Sequence, residues 1–288
     1  MNRAKFGPGG NSSKFTASGY KSSVDAPEWM RKIELDAYEY ECGNGVNGSD
    51  EVFAMIGLNA IHHGVAMSLH APYYISLSGI IPEKRLGSVR YILQSINAAQ
   101  CMGAGVVVVH AGSASKIARE DALKLAADTL KRAIAECESC FPSSSDIKIG
   151  VETMGKINQL GTLDEVIELC KLDSRLVPVV DFGHLYARSL GSDIISCDHI
   201  KRVFDTVSRE LSPEIAENMH CHFSKIQFSK GGEQKHLTFD STEFGPNPKE
   251  FAKAIVDLGV YPTVICESAG TQDIDAKILK NAYLEALG

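Results

Sequence analysis

The chain lacks any apolar run approaching the roughly 20 residues that a membrane-spanning helix needs, which excludes a helical membrane protein. It has no internal repeat and no low-complexity tract, so solenoid and fibrous architectures are excluded as well. Positive charge is scarce: 29 Lys and Arg stand against 36 Asp and Glu, a formal net charge of −7. A generally basic nucleic-acid-binding surface is thereby excluded, although bound divalent ions can reverse the sign inside a cleft. The opening residues MNRAKFGPGGNSSKF contain no apolar core of a secretory signal, so a cytoplasmic protein is expected. Nothing in the chain calls for a membrane or an obligate protein partner.

What is present is an ordinary globular composition, with 44% hydrophobic and 23% charged residues in 288. α/β barrels take this length as one domain, here 1–288. The eight cysteines (Cys42, Cys101, Cys137, Cys140, Cys170, Cys197, Cys221, Cys266) are spread widely, mostly inside apolar segments. They read as reduced, buried thiols. Cys137 and Cys140 form a C-x-x-C at the end of a helical pattern, with no second pair to complete a zinc site.

Short β-branched runs alternate with longer helical patterns. Strands are expected at 3–8, 33–42, 66–71, 105–111, 147–153, 176–183, 220–228 and 262–268. Several are near-continuous apolar runs, as parallel strands buried on both faces require. Helices are expected near 26–32, 50–63, 83–103, 115–139, 162–172, 193–211, 248–258 and 272–286. Pro27, Ser49–Asp50 and Asn247–Pro248 supply helix-start chemistry. Eight β-then-α units with right-handed crossovers close into a (β/α)8 TIM barrel, with a doubly wound open sheet as the competing architecture. The segments 7–24 and 229–247 read as irregular loops over the active face.

Nine potential metal ligands lie on this frame, nearly all at the carboxyl end of a predicted strand: His70, His110, Glu152, Asp181, His184, His222, Glu233, His236 and Glu267. A barrel brings such positions to one mouth. Five imidazoles and four carboxylates exceed the needs of one ion and suit a cluster of zinc or similar divalent ions. Taken singly, each has an ordinary alternative; a histidine placed like His110, after four valines, is more often a hydrogen-bonded core residue than a ligand. Glu152 and Glu267 are harder to explain away, because a carboxylate ending an apolar strand is costly to bury unpaired. His62 and His63 suit a helix C-terminus, and neither His199 nor His220 is assigned to the metals.

At SLHAPYYISL (68–77), VVVVHAGS (106–113), GVETMG (150–155), VVDFGHLYARS (179–189), HFSKI (222–226), GEQKHL (232–237) and VICESAG (264–270) the chain resembles the endonuclease IV family, which belongs to the xylose-isomerase-like barrels. The resemblance implies an apurinic/apyrimidinic endonuclease, a DNA-repair hydrolase acting on double-stranded DNA at abasic sites. It implies three Zn²⁺, with Mn²⁺ able to fill some sites. His70 and His110 would hold one ion and Glu152 would bridge to a second, which Asp181, His222 and Glu267 complete; His184, Glu233 and His236 would hold the third. Glu152 and Glu267 become the catalytic carboxylates, and a hydroxide between two metals attacks the phosphate 5′ to the lesion, leaving a 3′-hydroxyl and a 5′-deoxyribose phosphate.

The chain departs from that family where Asp-x-His becomes Glu233-x-x-His236, where Asn-Thr becomes Thr153–Met154, and where Asp-Thr-Cys-His becomes Asp181-Phe182-Gly183-His184. Tyr73 and Tyr74 are candidates to wedge into the base stack beside a flipped-out abasic nucleotide. Lys14, Lys21, Lys156, Arg188, Lys225, Lys230 and Lys235 are candidates for phosphate contacts. A single-metal sugar (phosphate) isomerase or epimerase of the same barrel superfamily is the alternative. It would use Glu152, Asp181, His222 and Glu267 and leave four histidines idle. A barrel that binds metal or nucleic acid without turnover is a third possibility.

Overall fold

Val106–Val109 are stiff at χ1 and favour an extended backbone, and Val107, Val108 and Val109 are at most 1% exposed although their side chains alternate in direction. A strand buried on both faces needs cover on both, and each such valine contributes roughly 1.5–3 kcal/mol by leaving water. The structure, a computed structural model, describes residues 3–288. Its strands are β1 (Lys5–Pro8), β2 (Ala37–Glu41), β3 (Ala66–His70), β4 (Val106–His110), β5 (Lys148–Glu152), β6 (Leu176–Asp181), β7 (His220–Phe223), β8 (Lys225–Ser229), β9 (Gly232–Leu237) and β10 (Thr263–Cys266). Its helices are α1 (Ser13–Ala17), α2 (Ala26–Lys32), α3 (Asp50–His63), α4 (Pro82–Met102), α5 (Arg119–Cys140), α6 (Leu163–Cys170), α7 (Phe182–Arg188), α8 (Cys197–Glu210), α9 (Pro213–Glu217), α10 (Pro248–Leu258) and α11 (Gln272–Leu287).

Eight strands form one parallel sheet in the order β1-β10-β7-β6-β5-β4-β3-β2. Its two edges meet at a seam where Gly10 N–H donates to Glu39 O and Asp36 N–H to Phe6 O, both at 2.9 Å. A Cβ on Gly7 would lie 1.8 Å from Ala37 O, so β1 and β2 approach this closely only because position 7 is glycine. The expected (β/α)8 barrel is the observed one. No helix among the described residues is long and apolar enough to cross a membrane.

Three helices coincide with their expected spans, α2, α3 and α10. Their first turns explain why: Pro27 opens α2, Ser49 Oγ accepts from Val52 N, and Asn247 Oδ1 accepts from Lys249 N ahead of Pro248. The strand expected at 33–42 begins only at Ala37, because Ile33–Asp36 turn out of α2 with Glu34 at φ 59°. The strand expected at 220–228 breaks at Ser224. β7 stays in the barrel, while β8 leaves it and pairs antiparallel with β9 as a hairpin. Part of the expected loop 229–247 is therefore strand, and α1 occupies part of 7–24. All eight cysteines are free, and six are buried as expected, but Cys101 is only half-buried and Cys140, in the last turn of α5, is exposed.

Candidate metal centre

Strand register decides which side chains become neighbours. Parallel pairing sets Glu41 beside His70, His110 beside Glu152, and Asp181 beside His222. Glu267 follows β10 directly. Asp181 also caps α7, its Oδ1 accepting from His184 N at 2.8 Å. That cap accounts for the three-residue spacing, because it carries His184 back over the strand end.

Glu152 is the hub. It is 1% exposed, and its Oε2 lies 3.4 Å from His70 Nε2 and 3.3 Å from His110 Nε2. Its Oε1 lies 3.1 Å from His222 Nδ1 and 3.4 Å from His184 Nδ1. His222 Nδ1 is also 3.4 Å from Glu267 Oε1, and His184 Nε2 is 3.4 Å from Glu233 Oε2. Five compact donor sets result, three of them made of the predicted ligands: His70, His110 and Glu152; Glu152, Asp181, His222 and Glu267; and His184, Glu233 and His236; the other two are Glu39, His220 and His222, and Glu39, Glu41 and Glu267. The first three border a cavity of about 260 Å³ that opens at the mouth between Tyr73, Lys156 and Gln159.

These sets fit divalent ions, and the ring nitrogens are the reason. A metal-binding imidazole usually gives its other N–H to a fixed acceptor. His70 Nδ1 is 2.9 Å from Ala71 O and His184 Nδ1 is 2.8 Å from Thr153 O, which leaves each Nε2 facing a carboxylate. His236 Nδ1 is paired with Ser224 Oγ at 2.8 Å. Asp181 Oδ2 is buried without a hydrogen-bond partner among the described residues and has only the charge contact of His184 Nδ1 at 3.3 Å, a state that a bound cation would relieve.

The metal-free site balances its own charge with protons. Burial opposes a charged His70, but Glu41 and Glu152 outweigh it and push the imidazole up to about 10. Burial likewise opposes charge on His184 and His222, yet Asp181 and Glu152 around the first, and Glu267 and Glu39 around the second, raise both well above the ordinary value. Glu152, although buried, is held well below the carboxylate range by His110, His184, His222 and His70. Burial pushes Asp181 up to about 6. Divalent ions would displace these protons, so metal affinity should fall in acid.

Glu233 and His236 reach the centre from the hairpin. Facing the consecutive residues Gln227 and Phe228 of β8 stand Lys235 and Glu233, which leaves Gln234 as a one-residue bulge. The bulge absorbs the extra residue in Glu-x-x-His and returns both side chains to one face. The hairpin is pinned where Glu233 N donates to Gly155 O at 3.1 Å and Ile157 N to Gly231 O at 3.0 Å. A Cβ on Gly232, at φ 88°, would sit 2.2 Å from Gly155 O, so only glycine permits this docking.

Three residues set aside or passed over in the sequence belong to the same cluster. Glu39 and Glu41 share one face of β2 by its two-residue period; Glu39 is fully buried and Glu41 borders the mouth. His220 is buried, with Nε2 2.8 Å from Glu39 Oε2. The available signal was the Glu-x-Glu spacing in a predicted strand. Other candidates lie elsewhere. Arg188 spends its guanidinium on the carbonyls of Met154, Lys156, Ile157 and Gln159, and Lys225 its ammonium on Phe239 O and Ser241 O. Both are structural rather than free for phosphate. Tyr73 lines the mouth, whereas Tyr74 packs toward Tyr91 at 6.1 Å, and both hydroxyls meet Asn44 Oδ1. Lys230 is exposed at the tip of the hairpin.

Known proteins resemble this chain to different depths. An uncharacterised protein of Methanocaldococcus jannaschii is 31% identical over 260 residues, 90% of this chain and 91% of its own length. A probable endonuclease 4 of Acholeplasma laidlawii is 29% identical over 143 residues, 48% of this chain and 47% of its own. Among solved structures, endonuclease IV from Thermus thermophilus superposes with a TM-score of 0.71 at 16% identity, covering 98% of this chain and 100% of that one. A D-tagatose 3-epimerase-like protein reaches 0.68 at 21% identity, with 98% of each chain covered. The endonuclease IV resemblance expected from the sequence is thus borne out, with sugar epimerases sharing the fold. A family profile described as a xylose isomerase-like TIM barrel matches residues 27–285, nearly the whole strand-and-helix alternation that builds the mouth, and to that family the chain belongs.

Proposed function

We propose that this protein is a divalent-metal phosphodiesterase that cuts duplex DNA on the 5′ side of abasic sites. One observation carries the proposal: besides the Glu152, Asp181, His222 and Glu267 quartet, the predicted ligands form two further donor sets, His70, His110 and Glu152 and His184, Glu233 and His236, and a one-metal sugar enzyme has no use for them. The partial similarity to probable endonuclease 4 sequences supports the same reading. Imidazole and carboxylate donors suit Zn²⁺, with Mn²⁺ an acceptable occupant of carboxylate-rich positions. When bound, such ions neutralise charge on a phosphodiester and lower the pKa of water, which makes a separate catalytic base unnecessary.

The chain's own residues supply the rest. Glu152 offers one oxygen to the His70 and His110 side and the other to the His184 and His222 side, so its carboxylate spans the first two sets. Glu267 closes the quartet from β10. Tyr73 presents a half-exposed ring at the mouth for stacking against an unstacked base step, and Lys156 is the cation there for a phosphate oxygen. Lys230 stands ready for a flanking phosphate.

Incubation of the metal-loaded protein with duplex DNA carrying one tetrahydrofuran abasic analogue should give a single nick ending in a 3′-hydroxyl. Intact substrate, with three metal equivalents bound, would sink the assignment. The sugar isomerase or epimerase reading is favoured by one feature: Glu41 at the mouth and Glu39 buried beneath it raise the carboxylates of the cluster from four to six, which ill suits a polyanion until all three sites are filled. A stable single metal equivalent, together with turnover of a ketose, would decide for it.

A further inference from the structure

Within the quartet His222 is the only imidazole, and its outward nitrogen has no backbone acceptor of the kind that His70 and His184 use. Its Nε2 lies instead 2.8 Å from Glu39 Oε1, an ion-pair contact in which neither atom meets hydrogen-bond geometry with any described residue. Glu39 is itself held from the other side, its Oε2 accepting from Ser68 Oγ at 2.7 Å and lying 2.8 Å from His220 Nε2. All four side chains are buried, and Glu39 and His222 are 0% exposed. The pairing follows from register, since Glu39 stands beside Ser68 across β2 and β3, while His220 and His222 share one face of β7.

We infer that Glu39 is a positioning residue for His222, fixing its tautomer and ring orientation so that Nδ1 points between Glu152 and Glu267. The carboxylate charge beside Nε2 also favours the proton on that nitrogen and leaves Nδ1 free, which offsets the difficulty of burying His222 at the floor of the barrel mouth. Glu39 does not line the cavity at the mouth. The inference rests on the quartet being a metal site, and not on which reaction that site performs.

Titration of the chelated full-length protein with Zn²⁺ against a chromophoric competitor, and with Co²⁺ followed by its visible spectrum, tests this. Glu39→Gln should weaken one site by roughly 10–100-fold and shift the Co²⁺ bands, with the other sites and the thermal transition unchanged. Glu39→Asp should recover part of the affinity. Ser68→Ala removes only one support of the carboxylate and should weaken the same site by a smaller factor, without disturbing the fold. Unchanged affinity and spectrum in Glu39→Gln would overturn the inference, and so would an equal loss at every site, which would mark Glu39 as merely structural. Wild-type protein that binds no divalent ion would instead overturn the metal reading of the quartet itself.

Discussion

Five of the candidate ligands lie at the ends of barrel strands and a sixth follows β10, whereas Glu233 and His236 ride on a two-stranded hairpin above the mouth. The two groups are built to different tolerances. β7 is buried at every position, and its hydrogen-bonded neighbours on both sides fix where His222 points. β9 has two exposed residues in its centre, pairs with one partner strand, and owes its alignment to a bulge at Gln234. A site assembled from both groups has a rigid floor and an adjustable rim. Segments with few buried contacts open at lower free-energy cost, so the third donor set should be the first to be lost and the most tolerant of change.

The sharpest way to break that comparison is at the floor. Glu152→Gln removes the charge that four imidazoles share, and nicking activity should fall by at least ~100-fold with the thermal transition retained. Retained turnover would contradict its bridging role. At the rim, Glu233→Ala should cost one of three bound equivalents, measured by atomic absorption, and leave the other two in place. Loss of all three would show that floor and rim are not separable.

Deletion of Gln234 is the finer test. It restores a two-residue spacing without a bulge, so Glu233 and His236 should still share a face, and metal content and activity should stay within a few-fold of wild type. Complete loss of the third equivalent would show that the bulge does more than keep register.

The smallest effect concerns stability in chelator. His70 has a folded-state value of about 10 against an ordinary 6.5. A raised value means that the folded protein binds the proton more tightly, so this stabilisation is complete below about pH 6.5 and declines as pH rises towards 10. The melting temperature of metal-free protein should drop across that window, and saturating zinc should flatten the decline. An identical decline with zinc bound would argue that the imidazoles are not ligands.

Much of this was legible because a barrel converts strand order into spatial convergence. His70, His110, Glu152, Asp181 and His222 could be gathered on strand ends from periodicity alone, and the resemblance then grouped them. Arg188 and Lys225 could not be read correctly, since a cation in a loop looks the same whether it meets solvent or a set of carbonyls. Glu39 was hidden for a related reason: a glutamate in a Tyr-rich strand reads as a solvent-facing residue until the register of β2 on β3 and the approach of β7 are known.

The sequence by itself determined the alternation of eight strands with helices, the helix starts at Pro27, Ser49 and Asn247, and the convergence of donors on one mouth. Local propensity and capping act within a few residues, and parallel strands need no further instruction to end at the same face. Only the tertiary structure decided that β8 leaves the barrel, that Gln234 bulges, and that Glu39 meets His220 and His222. Those outcomes depend on which backbones pair at long range, and side-chain direction changes with every one-residue shift in that pairing.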